Sequence, residues 1–329
     1  MGEMNLLLLS HTSKEIGMGH FMRQLHIAEE MISRDHKITF AVSDYKPALN
    51  LLEKKNILYI KSKKIPFEIK TELETDIIVL DISKTDENFI KLLKNNGVKV
   101  ISFDDVGAGR NHVDVLVDSS LGSSDFSKVR SLFGAKYVIV HNRFSVFRNL
   151  EKVVSEKIGR VAISMGGTDP KSIGPEIANF LLKSGLNFKI DLILGAGFND
   201  KDNEMENMNF IRNDGSKFKI HKNLPDLAEI LFNADIAICA GGITLYEACV
   251  VGTPAVVISQ VVHQQKKASK VQDWGAAIDL GMWRDSVLTK LVSTINTLDI
   301  EKRRKMSVAG KKMVDGKGLQ RIVNEIEKL

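Results

Sequence analysis

The chain has 329 residues, 43% of them apolar and 26% charged, ordinary values for a globular protein and long enough for two domains at roughly 100–200 residues each. Disorder, collagen and fibrous architectures are excluded. The net charge of +5 is local: residues 1–143 carry 20 Lys+Arg against 19 Asp+Glu, residues 144–300 carry 17 against 18, and residues 301–329 carry 9 against 4, so a nucleic-acid-binding face spread over the fold is not expected, while the C-terminal tail could touch an anionic surface or partner.

Short apolar runs of β type alternate with longer amphipathic segments, the pattern of helices covering both faces of a parallel sheet. Strands are predicted at Asn5–Ser10, Lys37–Ser43, Asp76–Leu80, Val98–Phe103, Val113–Val117 and Tyr137–Val140, with helices over His20–Arg34, Pro47–Lys54 and Glu87–Asn95. Residues Arg143–Lys157 hold no strand-like run, and the linker is placed there. The rhythm restarts with strands Arg160–Met165, Lys189–Leu194, Phe218–His221, Asp235–Ala240 and Ala255–Ser259 and helices Pro170–Lys183, Pro225–Phe232, Thr244–Val251 and Gln264–Trp274. The tail from Asp299 to Leu329 reads as one or two helices, interrupted at Asp315-Gly316-Lys317-Gly318. This predicts an α/β fold of two Rossmann-like domains facing a cleft, residues 1–147 and 148–329, the last helix of which could pack back on the first domain. Ligands of open α/β sheets bind beyond the carboxyl ends of the strands.

The two cysteines, Cys239 and Cys249, have no metal-ligand spacing, so neither a disulfide scaffold nor a structural zinc is expected. No basic region precedes Leu6–Leu9, and the longest apolar stretch, Cys249–Val262, is broken by Gly252 and Pro254 and falls short of the ~20 residues of a membrane span. A cytoplasmic protein without stable membrane insertion is expected.

Ile16-Gly17-Met18-Gly19-His20 follows the first strand and leads into a helix carrying Arg23. Gly17 and Gly19 allow close backbone approach, the helix start offers free N–H groups to an anion, and His20 either caps its helix or takes a proton near neutral pH. The full dinucleotide fingerprint is absent, because Met22 stands where Gly or Ala belongs. In the second half, Gly166-Gly167-Thr168-Asp169-Pro170 and Gly241-Gly242-Ile243-Thr244 each lie between a strand and a helix, and Pro170 suits the first helical position. Such turns either provide tight connections or offer two sets of donors to one diphosphate, and Glu247, a turn into the second helix, could accept hydrogen bonds from a ribose diol. Asp81 and Asp104-Asp105 end strands in the first half; one of the latter pair could face the cleft while the other caps the turn. His263, Gln264 and Gln265 follow the last clear strand, where the amides either contact sugar hydroxyls or form a solvated helix start, and His221 next to Asn223-Leu224-Pro225 reads as structural. Asp200-Lys201-Asp202 sits in a polar stretch and reads as a solvated loop, so no metal site is expected.

Taken together, Ile16–His20 with Arg23, Ser102-Phe103-Asp104-Asp105, Ser164-Met165-Gly166-Gly167-Thr168-Asp169 and Gly242…Glu247 make the chain resemble, over nearly its whole length, the hydrolase family of pseudaminic-acid biosynthesis that removes UDP from a UDP-linked 2,4-diacetamido-2,4,6-trideoxy sugar, with its relatives in spore-coat polysaccharide synthesis. That family is similar to the GT-B glycosyltransferases. The resemblance implies UDP held mainly by the second domain, with Gly166, Gly167, Thr168, Leu224, Gly241, Gly242, Thr244, Glu247, His263 and Gln264 as binding positions. Gly17, Gly19, Arg23, Asp104 and Asp105 would serve on the first domain, and His20 would activate water for inverting attack at the anomeric carbon, with no metal or cofactor. A monomer is expected. Two departures bear on the sugar: His141 stands where the family usually has Arg, and His263-Gln264 replaces a common Asn-Gln. The other readings are an inverting GT-B glycosyltransferase using a UDP-amino sugar donor, for which Lys54, Lys55, Lys61, Lys63 and Lys64 supply charge near a lipid acceptor, and a nucleotide-sugar sensor without turnover.

Overall fold

The structure is a computed structural model that describes residues 2–62, 74–95, 97–119, 129–198, 217–222 and 224–329. Lys63, Lys64, Asn223 and the Asp200-Lys201-Asp202 stretch lie outside the described residues. The chain divides into two compact units, Met1–Ile139 with Lys317–Leu329, and Val140–Gly316.

The first unit is built on strands β1 (Asn5–Ser10), β2 (Lys37–Ser43), β3 (Leu58–Ser62), β4 (Ile77–Asp81), β5 (Lys99–Phe103), β6 (Val115–Asp118) and β7 (Arg130–Phe133), in the order β3-β2-β1-β4-β5-β6-β7. Each pair is parallel. The four leucines of β1 show why such strands are apolar throughout: Leu6 and Leu8 enter one core with Phe21 and Leu25 of helix α1 (Gly19–Ile32), and Leu7 and Leu9 enter another with Ile90 and Leu93 of helix α3 (Glu87–Asn95). A strand covered on both faces has no solvent side to make polar. Helix α2 (Lys46–Lys54) adds Ala48, Leu49 and Leu52 to the first core, and the chain's last helix, α11 (Gly318–Ile326), returns to the same core with Leu319, Ile322 and Val323.

The expected strand at Tyr137–Val140 does not form. Residues Ala135–Tyr137 make a 3-10 turn, and Val138, Ile139 and Val140 are buried as connector rather than as sheet. The start of α11 lies so close to this connector that a Cβ on Gly318 would collide with the Val138 carbonyl. Apolarity here reflects burial against a helix end. The stretch assigned to the linker also contains a helix, α4 (Arg143–Asn149).

The second unit holds β8 (Arg160–Ser164), β9 (Lys189–Leu194), β10 (Phe218–Lys222), β11 (Ile236–Cys239), β12 (Ala255–Ser259) and β13 (Ala277–Met282), ordered β10-β9-β8-β11-β12-β13 and parallel throughout. Its helices are α5 (Ile173–Lys183), α6 (Ala228–Asn233), α7 (Ile243–Val251), α8 (Val262–Asp273), α9 (Ser286–Thr297) and α10 (Ile300–Met313). Helix α7 is buried from Thr244 to Val251, as a helix enclosed by its neighbours must be. Pro170 does not open α5. It lies in a turn, and the helix begins at Ile173, where the Asp169 carboxylate accepts from the N–H groups of Ile173 at 3.0 Å and Gly174 at 2.8 Å.

Candidate active site

Both sheets reverse their strand order beside the first strand of the unit, between β1 and β4 in the first and between β8 and β11 in the second. At such a point the connections leave in opposite directions and open a crevice at the carboxyl ends. The glycine-rich segments singled out in the sequence all lie at these two places.

In the first unit, the loop after β1 is closed by the Gly17 N–H donating to Ser13 O at 2.9 Å and by Thr12 Oγ1 donating to Gly17 O at 2.8 Å. Gly17 sits at φ +85°, the left-handed region that glycine adopts without strain. The loop delivers the chain into α1 at Gly19, where no side chain caps the helix and a Cβ would meet nothing within 4 Å. His20 is the second residue of that helix, and its Nδ1 lies 2.7 Å from Oδ1 of Asp81, the last residue of β4. Register explains the meeting: Asp81 pairs with Ser10, the residue that ends β1.

One helical turn on, Arg23 donates from Nε to Asp81 Oδ2 at 2.7 Å, from Nη2 to Asp81 Oδ1 at 2.6 Å and from Nη1 to Asp104 Oδ2 at 2.5 Å. Its guanidinium also lies over the Phe103 ring, 4.9 Å from the centroid. Asp104 takes a left-handed backbone, φ +48°, and its other oxygen accepts from Ser119 N at 3.2 Å. Burial works against charge on Asp81, but Arg23 and His20 outweigh it and hold the carboxyl well below the usual carboxylate range. Burial likewise works against Arg23, and Asp104 and Asp81 together more than restore its charge. Because an ionised Asp81 can only accept, the proton of a neutral His20 resides on Nδ1, and Nε2 is left as an acceptor.

The structure therefore joins His20, Arg23 and Asp104 and adds Asp81, which sequence reasoning noted as a strand-end acid without giving it a role. Asp105 is engaged elsewhere. It is buried, and its carboxylate accepts from the N–H groups of Thr85 at 3.0 Å and Gly107 at 2.7 Å, and from the hydroxyls of Ser102 and Thr85. Its chemistry is that of a turn-holding carboxylate, the capping role expected of one member of the Asp104-Asp105 pair.

In the second unit, β8 and β11 are adjacent, with Ser164 opposite Cys239, so the two Gly-Gly turns start side by side. They are not equivalent. The first leads to a helix whose opening N–H groups are already taken by Asp169, whereas the second leads directly into α7, which has Gly242 at its N-cap and no side-chain cap. A Cβ on Gly242 would meet nothing within 4 Å, while one on Gly241 would strike the Gln264 backbone. Gly241 thus serves the close approach of α8, and the N–H groups that follow Gly242 are the ones left without a side-chain cap. Gly166 sits at φ +98° with open space above it, and Thr168 is buried. The Gln264 side chain is drawn into the fold, its Oε1 accepting from Gln260 N at 2.8 Å, while Gln260 Nε2 donates to Met165 O at 2.5 Å. His263 is exposed at the start of α8, and Leu224 is exposed ahead of α6.

Glu247 projects from the first turns of α7 and is only 8% exposed, and its Oε2 has no hydrogen-bond partner among the described residues. Burial pushes its carboxyl up to about 7, Asp226 adds to the effect, and the hydrogen bond from Thr244 opposes it. A carboxyl raised above its unfolded value binds protons preferentially in the folded state, so its contribution is present below the unfolded pKa and is lost as pH rises through about 7. Glu247→Gln removes this penalty. It is expected to raise stability at a pH of about 8 by up to ~3 kcal/mol and to leave it nearly unchanged at a pH of about 4, as followed by chemical denaturation at the two values.

Among the described residues, no group of three or more His, Cys, Asp or Glu side chains is placed to hold a metal ion. No helix among them is long and apolar enough to cross a membrane.

Residues 171–326 match the glycosyltransferase family 28 C-terminal domain. An uncharacterized protein of Methanocaldococcus jannaschii is 27% identical over 272 residues, covering 78% of this chain, which spans only 56% of that protein's length. The spore coat polysaccharide biosynthesis protein SpsG of Bacillus subtilis is 26% identical over 96% of this chain and 95% of its own. The UDP-2,4-diacetamido-2,4,6-trideoxy-beta-L-altropyranose hydrolase of Campylobacter jejuni is 26% identical over 84% of this chain and 99% of its own. Among solved structures, MurG of Acinetobacter baumannii superposes with a TM-score of 0.67 at 14% identity, covering 100% of both chains. The architecture is that of the GT-B fold, with two α/β domains on parallel sheets, and the second of them is similar to the C-terminal domain of glycosyltransferase family 28.

Proposed function

We propose that the chain is a UDP-sugar hydrolase that releases UDP from a UDP-linked diacetamido-trideoxy sugar, serving nonulosonic acid or surface-polysaccharide synthesis. The observation that carries the reading is the His20–Asp81–Arg23 arrangement, an imidazole whose Nδ1 is tied to a buried carboxylate and whose Nε2 is left to accept a proton. The likeness to a hydrolase and to a polysaccharide biosynthesis protein, both over most of the chain, supports it. In the proposed reaction, Nε2 of His20 takes a proton from water as the water oxygen bonds to the anomeric carbon. The bond from that carbon to the diphosphate breaks with inversion, and UDP leaves with the electron pair. The uncapped start of α7 stabilises the charge gathering on the diphosphate, and Glu247 receives the ribose diol.

Loss of a charge-assisted hydrogen bond costs roughly 1.5–3 kcal/mol, so at a pH of about 8, where the carboxyl is ionised, Glu247→Gln should weaken UDP binding about tenfold or more while the protein becomes more stable. Titration calorimetry giving unchanged affinity would remove the ribose assignment. The reaction is also expected to proceed without a metal, because helix N-termini and backbone donors carry the leaving-group charge. UDP release should survive exhaustive chelation, and a strict requirement for added magnesium or manganese would contradict this part of the reading.

The match to a glycosyltransferase domain favours a second reading, an inverting transfer of a UDP-amino sugar to a hydroxyl acceptor. A panel of UDP-sugars, each incubated with and without acceptors, separates the two. The hydrolase releases UDP in buffer alone, whereas a transferase releases it only when an acceptor is added.

A further inference from the structure

Helix α10 contains Lys302, Arg303, Arg304, Lys305, Lys311 and Lys312 against the single acid Glu301, a net charge equal to that of the entire chain. Arg303 is turned inward, donating to the carbonyls of Leu298, Ser155 and Glu156. On the outer face, residues one turn apart line up, and Arg304, Lys305, Val308, Ala309 and Lys312 form with Trp274 an open groove of about 470 Å³. Trp274 is 52% exposed and Val308 is 69% exposed. Arg304 is shared with Glu301 at 2.8 Å, whereas Lys305 and Lys312 have no acidic partner among the described residues.

We infer that this face of the second unit docks on an anionic lipid surface. Three observations converge on that occupant. The positive charge of the molecule is collected on one helix, the two outward lysines are uncompensated, and an exposed tryptophan stands beside them with an exposed valine. An indole between basic side chains is the combination that settles at the boundary between headgroups and acyl chains, with lysine and arginine drawn to acidic headgroups. No helix among the described residues could cross a membrane, so the association is peripheral and reversible.

The test is co-sedimentation of the full chain with vesicles of equal parts phosphatidylglycerol and phosphatidylcholine, and with vesicles of phosphatidylcholine alone. Binding is expected to the acidic vesicles at low salt, to fall away at about 0.5 M salt, and to be absent from the neutral ones. The double variant Lys305→Glu, Lys312→Glu and the single variant Trp274→Ala should each weaken it tenfold or more, and neither touches the proposed active site. In a Trp283→Phe background Trp274 is the sole tryptophan, and its emission should shift to the blue on acidic vesicles. Failure of the wild-type chain to bind acidic vesicles would overturn the inference. So would equal binding by the lysine variant, or binding to an acidic polypeptide such as polyglutamate without binding to vesicles, which would assign the face to a protein partner.

Discussion

His20→Asn is expected to lower the turnover number about 10²–10⁴-fold while UDP affinity stays close to that of the wild type. Asparagine keeps a polar side chain of similar reach to Asp81 but removes the basic nitrogen that accepts the proton of water. The distance of 2.7 Å between His20 Nδ1 and Asp81 Oδ1 fixes which nitrogen is left for that task. Affinity is the control, because UDP is assigned to α7 in the second unit and His20 stands in the first. Near-normal turnover would exclude His20 as the base. Turnover and UDP binding lost together would mean that the loop from Ser13 to Gly19 has a structural role.

The largest expected effect on stability comes from Arg23→Met. The side chain of Asp81 is fully buried and its charge is matched by Arg23. Removing the partner of a buried ion pair typically costs about 3–5 kcal/mol, because the other charge stays behind without compensation. The pH dependence should flatten as well. In the wild type the Asp81 carboxyl is depressed, so its contribution is present above the ordinary carboxylate pKa and is lost as the solution is acidified below about 4. In the variant His20 alone is left to oppose burial, so the same group is depressed less and the loss of stability on acidification should be shallower. Urea unfolding of both proteins across the acidic range measures the loss and the slope.

Most of the fold was legible because strands covered on both faces leave a plain apolar record. The predicted bounds of β1, β2, β9 and β12 match the structure to the residue. The omitted elements have physical reasons. Strand β3 lies at a sheet edge with Leu58 72% exposed, β7 is four residues long at the opposite edge, and β13 is interrupted by Asp279 and Gly281 and carries a register shift against β12. Helix α9 is rich in Val, Thr and Ile, which weakens a helical reading. Tyr137–Val140 misled because burial of a connector and burial of a strand look alike in a single sequence.

At the site, His20, Arg23 and Asp104 carried a signal through their place after strands. Asp81 lies 61 residues from His20, and only the pairing of β1 with β4 brings them together. The one available hint was an acid closing a continuous apolar run, a position it shares with Asp104. The different work of the adjacent pair Asp104 and Asp105 was beyond sequence reasoning, since it depends on a left-handed residue that turns one carboxylate toward Arg23 and leaves the other in the Thr85 turn.

The most direct test of the hydrolase assignment is to incubate the purified protein with a UDP-linked diacetamido-trideoxy sugar in isotopically labelled water, without any acceptor, and to follow both products by mass spectrometry and NMR. The assignment predicts UDP free of label in step with a reducing sugar that bears one labelled oxygen at the anomeric carbon, of inverted configuration when first formed. Label in the UDP, or no UDP until a hydroxyl acceptor is supplied, would contradict it.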